Sequence, residues 1–129
     1  MSNNSLRLAA ALLATALCSP AAQAAGSIKL ENALAACVAV SPGMRTTTDG
    51  QVLIQAGLDV KQSIGRCGCK SAIATYTSRV ELDDGQRGFL QSGALRIKQS
   101  GPHTLTLASD EALVGDRDVV LSLGCAAPD

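Results

Sequence analysis

From residue 52 onward the chain alternates apolar and polar positions with a period of two. Val52, Ile54, Ala56, Leu58 and Val60 share one parity, with Gln55, Gly57 and Asp59 on the other. A strand that buries one face and wets the other reads this way. Ala72, Ala74, Tyr76, Val80 and Leu82 repeat the pattern against Thr75, Thr77, Arg79 and Glu81. Phe89 to Lys98 is less regular, with Leu95 and Ile97 inward and Arg96 and Lys98 outward. His103 to Ala108 alternates Thr104 and Thr106 with Leu105 and Leu107. Asp118 to Cys125 closes the series with Val119, Leu121, Leu123 and Cys125 on one parity. Upstream, Ile28 to Val40 reads as one extended apolar run anchored by Leu30, Val38 and Val40, although the Ala-rich stretch Glu31 to Val40 also admits a short helix. Pro42-Gly43, Asp49-Gly50, Asp84-Gly85 and Gly101-Pro102 separate the runs and supply the fixed or positive φ of tight turns. Asp49-Gly50 and Asp84-Gly85 carry the strongest hairpin signals. The expectation is an all-β chain folded as a single antiparallel β-sandwich of about six to seven strands.

The first 24 residues read as a targeting segment. Arg7 precedes an apolar run from Leu8 to Leu17, and Ala22 and Ala24 place small side chains where an A-x-A cleavage signal needs them. The run is shorter than the roughly 20 residues that cross a bilayer. Cys18 follows Leu17, where a lipidation signal requires a small residue. The expectation is a cleavable signal peptide over 1–24 and a mature sandwich domain over 25–129, exported to an oxidising, periplasmic compartment and not held at the membrane after cleavage.

The 129-residue chain carries 11 basic and 11 acidic residues, and this balance predicts no electrostatic footprint for nucleic acid or anionic lipid. There is one Phe, one Tyr and no Trp, so the aromatic platforms that hold single-stranded nucleic acid and sugars are missing.

Four cysteines remain after processing: Cys37, Cys67, Cys69 and Cys125. An even count in a small exported chain reads as a disulfide framework, with three possible pairings. If successive runs reverse direction, all four fall at one end of the sandwich. The most economical arrangement joins one cysteine of Cys67-Gly68-Cys69 to Cys37 and the other to Cys125. A bridge between Cys67 and Cys69 themselves suits disulfide geometry poorly and would be readily reduced, which leaves thiol–disulfide chemistry as an alternative. Redox cysteines generally use C-x-x-C at a helix N-terminus, and C-x-C here lies between two strands. A further alternative gathers Cys67, Cys69, Cys125 and His103 around zinc or copper(I). His103 also reads simply as a polar residue beginning a strand after Gly101-Pro102.

No enzyme signature or cofactor motif emerges. Asp83-Asp84, Asp110-Glu111, and Asp116 with Asp118 fall in expected turns, where solvated loop acids account for them. Ser63 and Ser71 have no nearby histidine, and Gly65-Arg66-Cys67-Gly68 is too short for a phosphate loop.

From Lys61-Gln62-Ser63 through Cys67-Gly68-Cys69-Lys70 the sequence resembles the small periplasmic curli-assembly proteins of the CsgC and CsgH type, over about Asp49 to Leu82. That resemblance implies an immunoglobulin-like sandwich that keeps amyloid subunits from polymerising in transit. Cys37, Cys125, the long N-terminal run and the Ile64-Gly65-Arg66 insertion depart from that pattern. The chain is also similar to an uncharacterised family of small exported proteobacterial proteins with Cys-Gly-Cys-Lys-Ser and a terminal Leu-Gly-Cys, here Cys67–Ser71 and Leu123–Cys125. The expected role is a non-enzymatic periplasmic binding or assembly module, holdase-like towards secreted subunits. Its expected partner is another exported protein meeting an edge strand, with Lys61, Arg66 and Lys70 facing it. The sequence leaves the oligomeric state open.

Overall fold

The computed structural model describes residues 26–128, so the expected signal segment lies outside the described residues. Eight strands form: β1 (Ile28–Asn32), β2 (Val38–Ser41), β3 (Arg45–Thr48), β4 (Gln51–Val60), β5 (Ile73–Glu81), β6 (Arg87–Arg96), β7 (Gly101–Ala108) and β8 (Val119–Cys125). One sheet runs β1-β8-β5-β6. In the other, β4 pairs with β2, β3 and β7. Because β7 covers Val52 to Leu58 on one edge of β4, both β2 and β3 lie along its other edge, as two halves of one interrupted strand.

The inward faces meet in one core. β4 contributes Val52, Ile54, Ala56 and Leu58, and β8 contributes Val119, Leu121 and Leu123. Ala74 and Tyr76 of β5 and Leu105 and Leu107 of β7 fill the space between them. The period-two reading of these four strands therefore holds. Asp49 and Gly50 both take positive φ (50° and 78°) in a two-residue loop between Thr48 and Gln51, the geometry that matches strand twist. Asp83-Asp84-Gly85 closes the β5–β6 hairpin, with Gly85 left-handed at φ 80°.

Three expectations are corrected. The run Ile28–Val40 is neither one strand nor a helix. It breaks at Ala33–Cys37 into a hydrogen-bonded turn in which Cys37 N and Val38 N both donate to Leu34 O (2.9 and 2.8 Å). That single turn lets β1 descend in one sheet and β2 rise in the other, with Leu34 buried beneath it. The sandwich is not wholly antiparallel, since β1 pairs with β8 in parallel, from Ile28 beside Val119 to Asn32 beside Leu123. The strand count exceeds six to seven because Pro42-Gly43 splits the edge ribbon and Arg45–Thr48 supplies an additional strand. In β6 and just beyond it Leu95 and Ile97 face the core as expected, and Phe89 stands 66% exposed on the outer face.

Two hydroxyls of β5 tie the sheets together. Tyr76 Oη donates to Thr106 O (2.9 Å), and fully buried Ser78 donates to Leu107 O. Both acceptors sit at the bulge where β7 slips a register against Val52 and Leu53.

Candidate functional site

The chain turns of 33–37, 61–72 and 97–100 and the end of β8 share one pole of the sandwich, because β4, β6 and β8 descend to it and β2, β5 and β7 rise from it. Residues 61–72 carry the chain from β4 in one sheet to β5 in the other. Lys61 N and Gln62 N donate to Cys37 O (2.8 and 3.3 Å), and Gln62 Nε2 donates to Ala36 O (3.0 Å). Ser63 caps a 3-10 turn over Ile64–Cys67 by accepting from Gly65 N (3.3 Å), and Ile64 is buried as its anchor. Gly68 ends that turn in the left-handed region (φ 98°), and Cys69 N returns to Ile64 O (3.2 Å).

This local reversal explains why the triplet is Cys-Gly-Cys. Flanking a left-handed glycine, Cys67 bonds to Cys37 (Cα–Cα 6.3 Å) and Cys69 bonds to Cys125 (Cα–Cα 5.2 Å). The bridges span 30 and 56 residues and join the segments before β2, after β4 and at the end of β8. Cys37 and Cys69 are buried and Cys67 and Cys125 half-buried. All four sulfurs are thus engaged, and the arrangement offers no thiolate for nucleophilic, redox or metal chemistry in this state. Among the described residues no group of three or more His, Cys, Asp and Glu side chains is gathered where it could hold a metal ion. His103 lies in the surface groove beside the β6–β7 link, with Nδ1 buried and without a hydrogen-bond partner among the described residues.

Lys61, Arg66 and Lys70 are all exposed around the bridges, and none forms a salt bridge among the described residues. Arg96 and Lys98 arrive at the same pole from the end of β6 and are equally unpaired. Sequence reading had placed both outward without assigning them to the site. The counting of strand directions that gathered the cysteines also brings the end of β6 there, so the signal was present. Two shallow grooves flank the pole. One, of about 510 Å³, is lined by Arg96, Lys98, Gln99, Ser100 and His103 among others. The second, of about 460 Å³, includes Lys61, Gln62, Ser63, Ile97 and again Lys98. The Ser100 hydroxyl accepts from Val60 N (2.9 Å) and holds the link against the end of β4.

The opposite pole is acidic. Asp49, Asp83, Asp84, Asp110, Glu111, Asp116 and Asp118 sit in its turns. Balanced net charge therefore conceals an uneven distribution: these acids, with Arg45 and Arg117 among them, gather at one end, and Lys61, Arg66, Lys70, Arg96 and Lys98, with Asp59, at the other. Several of these acids serve their own loops. Asp84 Oδ1 accepts from Gln86 N (3.1 Å), Asp110 Oδ1 from Ala112 N (2.9 Å), and Asp118 Oδ1 from Ser27 N (2.8 Å). Ser71 likewise caps the entry to β5 by accepting from Ile73 N (3.2 Å).

Charged pairs concentrate on the outer face of the β1-β8-β5-β6 sheet. Lys29 meets Glu81 at 2.7 Å and Arg87 meets Glu31 at 2.6 Å. The Arg87 contact holds the Glu31 carboxyl below its ordinary range. Two hydrogen bonds from Ser27 do the same for Asp118, and the Glu81 hydrogen bond raises the Lys29 ammonium. Burial pushes the Tyr76 phenol up, against its hydrogen bond to Thr106.

A family model described as an uncharacterized protein conserved in bacteria (DUF2195) matches residues 12–128. No curated protein and no solved structure matches the chain, so the likeness to curli-assembly proteins finds no support among them.

Proposed function

The chain belongs to the DUF2195 family of bacterial proteins, and we propose that this member is a non-enzymatic binding or assembly module of an oxidising, extracytoplasmic compartment, released there by cleavage of residues 1–24. In this reading the sandwich is immunoglobulin-like, its cysteines are structural, and its partner is another exported polypeptide that adds a strand to β6.

The edge inventory carries the proposal. Native sheets blunt exposed edges with short strands, prolines, charges or covering groups. β1 has five residues and carries Lys29 and Glu31. The β2/β3 edge is interrupted by Pro42-Gly43. At the β7 edge, Pro102 lacks a donor, and the carbonyls of Thr106 and Leu107 accept hydroxyls from β5. β6 has ten residues and no proline. It bulges at Leu90, then pairs regularly with β5 from Gln91 to Arg96. Phe89, Ser92 and Ala94 are exposed on its outer face. An incoming strand would gain main-chain hydrogen bonds along Gln91–Arg96 and bury apolar area against Phe89.

The test is fibrillation of a secreted amyloid subunit with substoichiometric protein. The wild type should lengthen the lag. A Phe89→Lys, Ala94→Lys variant, which places charges on an exposed edge without touching the core, should lose that effect while melting normally. An unchanged lag with wild-type protein would remove the holdase role.

A further inference from the structure

We infer that the groove system between the end of β4 and the β6–β7 link is a docking site for an acidic, Asp/Glu-rich polypeptide segment. Lys61, Arg66, Lys70, Arg96 and Lys98 all reach this pole without a carboxylate partner among the described residues, beside exposed Asp59 alone at the end of β4, whereas Lys29, Arg87 and Arg117 elsewhere are paired and Arg45 donates to two carbonyls. Cations left unpaired together repel one another. Their mutual repulsion is relieved when an anionic partner arrives.

The shape of the pole selects among anionic partners. Lys98 lines both grooves, so the two adjoin and together make up the trough. Lys61, Gln62 and Ser63 line one groove and Arg96 and Gln99 the other, with Lys98 common to both. Alternating cations with amides and hydroxyls suits an extended chain, because carboxylates meet the cations while main-chain groups meet the neutral donors and acceptors. A lipid surface fits less well. Interfacial binders insert apolar side chains beside their cations. Of the exposed large apolar residues Leu30, Met44, Ile73, Phe89 and Leu113, Ile73 alone lies at this pole, at the start of β5 opposite Arg96. The floor is pre-organised: both bridges fix the 61–72 loop, and Ser100 is bonded to Val60 N. Little ordering is therefore lost on binding.

This inference rests on the reading above only in taking the partner to be a polypeptide. Because β6 runs directly into the trough at Arg96, a strand added along β6 would deliver an acidic flank there.

Oxidised mature protein titrated into a dye-labelled poly-glutamate peptide at low ionic strength tests the site by fluorescence anisotropy. Binding should be saturable and lost at high salt. The Lys61→Glu, Lys98→Glu variant should bind at least about tenfold more weakly. Asp116→Lys, at the far pole, should change it little. No binding by the wild type, equal binding by the double variant, or binding to phosphatidylglycerol vesicles without binding to the peptide would each overturn the assignment. The Phe89→Lys, Ala94→Lys variant separates the two proposals. If it binds the peptide as the wild type does while the wild type fails in the lag assay, the trough stands and the edge-strand reading falls.

Discussion

Gly93 faces Tyr76 across the β5–β6 pair, and a Cβ built on it would lie 2.5 Å from the phenol ring. Gly93→Ala should therefore push the ring from its seat and lower stability by about 1–3 kcal/mol, measured by chemical denaturation. Tyr76 is the sole tyrosine, so ultraviolet difference absorbance reports it directly. Its phenol should titrate above the ordinary value of 10.0 in the native protein and move back towards it in Gly93→Ala. Gly68 shows another dependence on glycine. Nothing lies within 4 Å of a Cβ there, yet its φ of 98° is left-handed, so Gly68→Ala should cost about 1–2 kcal/mol through the backbone alone. Neither requirement was legible beforehand. Glycines at 68 and 93 can be read as loop and strand punctuation, but the ring over Gly93 depends on register, which period two alone does not fix. By contrast, the Asp49-Gly50 turn was legible because its chemistry is local.

At the scale of elements, strands buried on one face declared themselves most clearly, β6 and β1 were read less sharply, and β3 was missed. β3 reads Arg-Thr-Thr-Thr, without an apolar position to reveal it. β1 pairs in parallel through a crossover that no local pattern encodes. Its attachment is partly electrostatic: Lys29 to Glu81, Glu31 to Arg87, and Ser27 to Asp118. The carboxyls of Glu31 and Asp118 are lowered from 4.5 and 3.8, so their contribution is present above those values and fades as pH falls through the lowered native ones. Lys29 is raised from 10.5 and Tyr76 from 10.0, so theirs is present below those values and is lost as pH rises through the raised native ones. Thermal melting should be flat between about pH 5 and 9 and fall on both sides. High salt should shrink the acid-side decline, since all three charged groups are exposed. A decline beginning near neutrality would contradict this assignment.

The whole molecule is a neutral chain folded into a polar object, with a basic end clamped by sulfur and an acidic end made of turns. Sequence reading reached the clamp because reversing strands were enough to bring Cys37, Cys67, Cys69 and Cys125 together. It did not reach the charge separation, because Arg96 and Lys98 were read along the chain and not at the pole where β6 ends. Each bridge closes a long loop, of 30 and 56 residues, and so removes much freedom from the unfolded chain. Cys125→Ser should cost about 2–5 kcal/mol and leave Cys69 open to alkylation, whereas an unchanged melting temperature would mean that Cys125 carries no bridge. The central claim is that Cys37, Cys67, Cys69 and Cys125 are all held in structural bridges, and non-reducing mass spectrometry of residues 25–129 after alkylation tests it most directly. The intact protein should be four hydrogens light and unlabelled, and stepwise partial reduction should resolve Cys37–Cys67 and Cys69–Cys125. A labelled cysteine, a retained metal, or a Cys67–Cys69 bridge would contradict it.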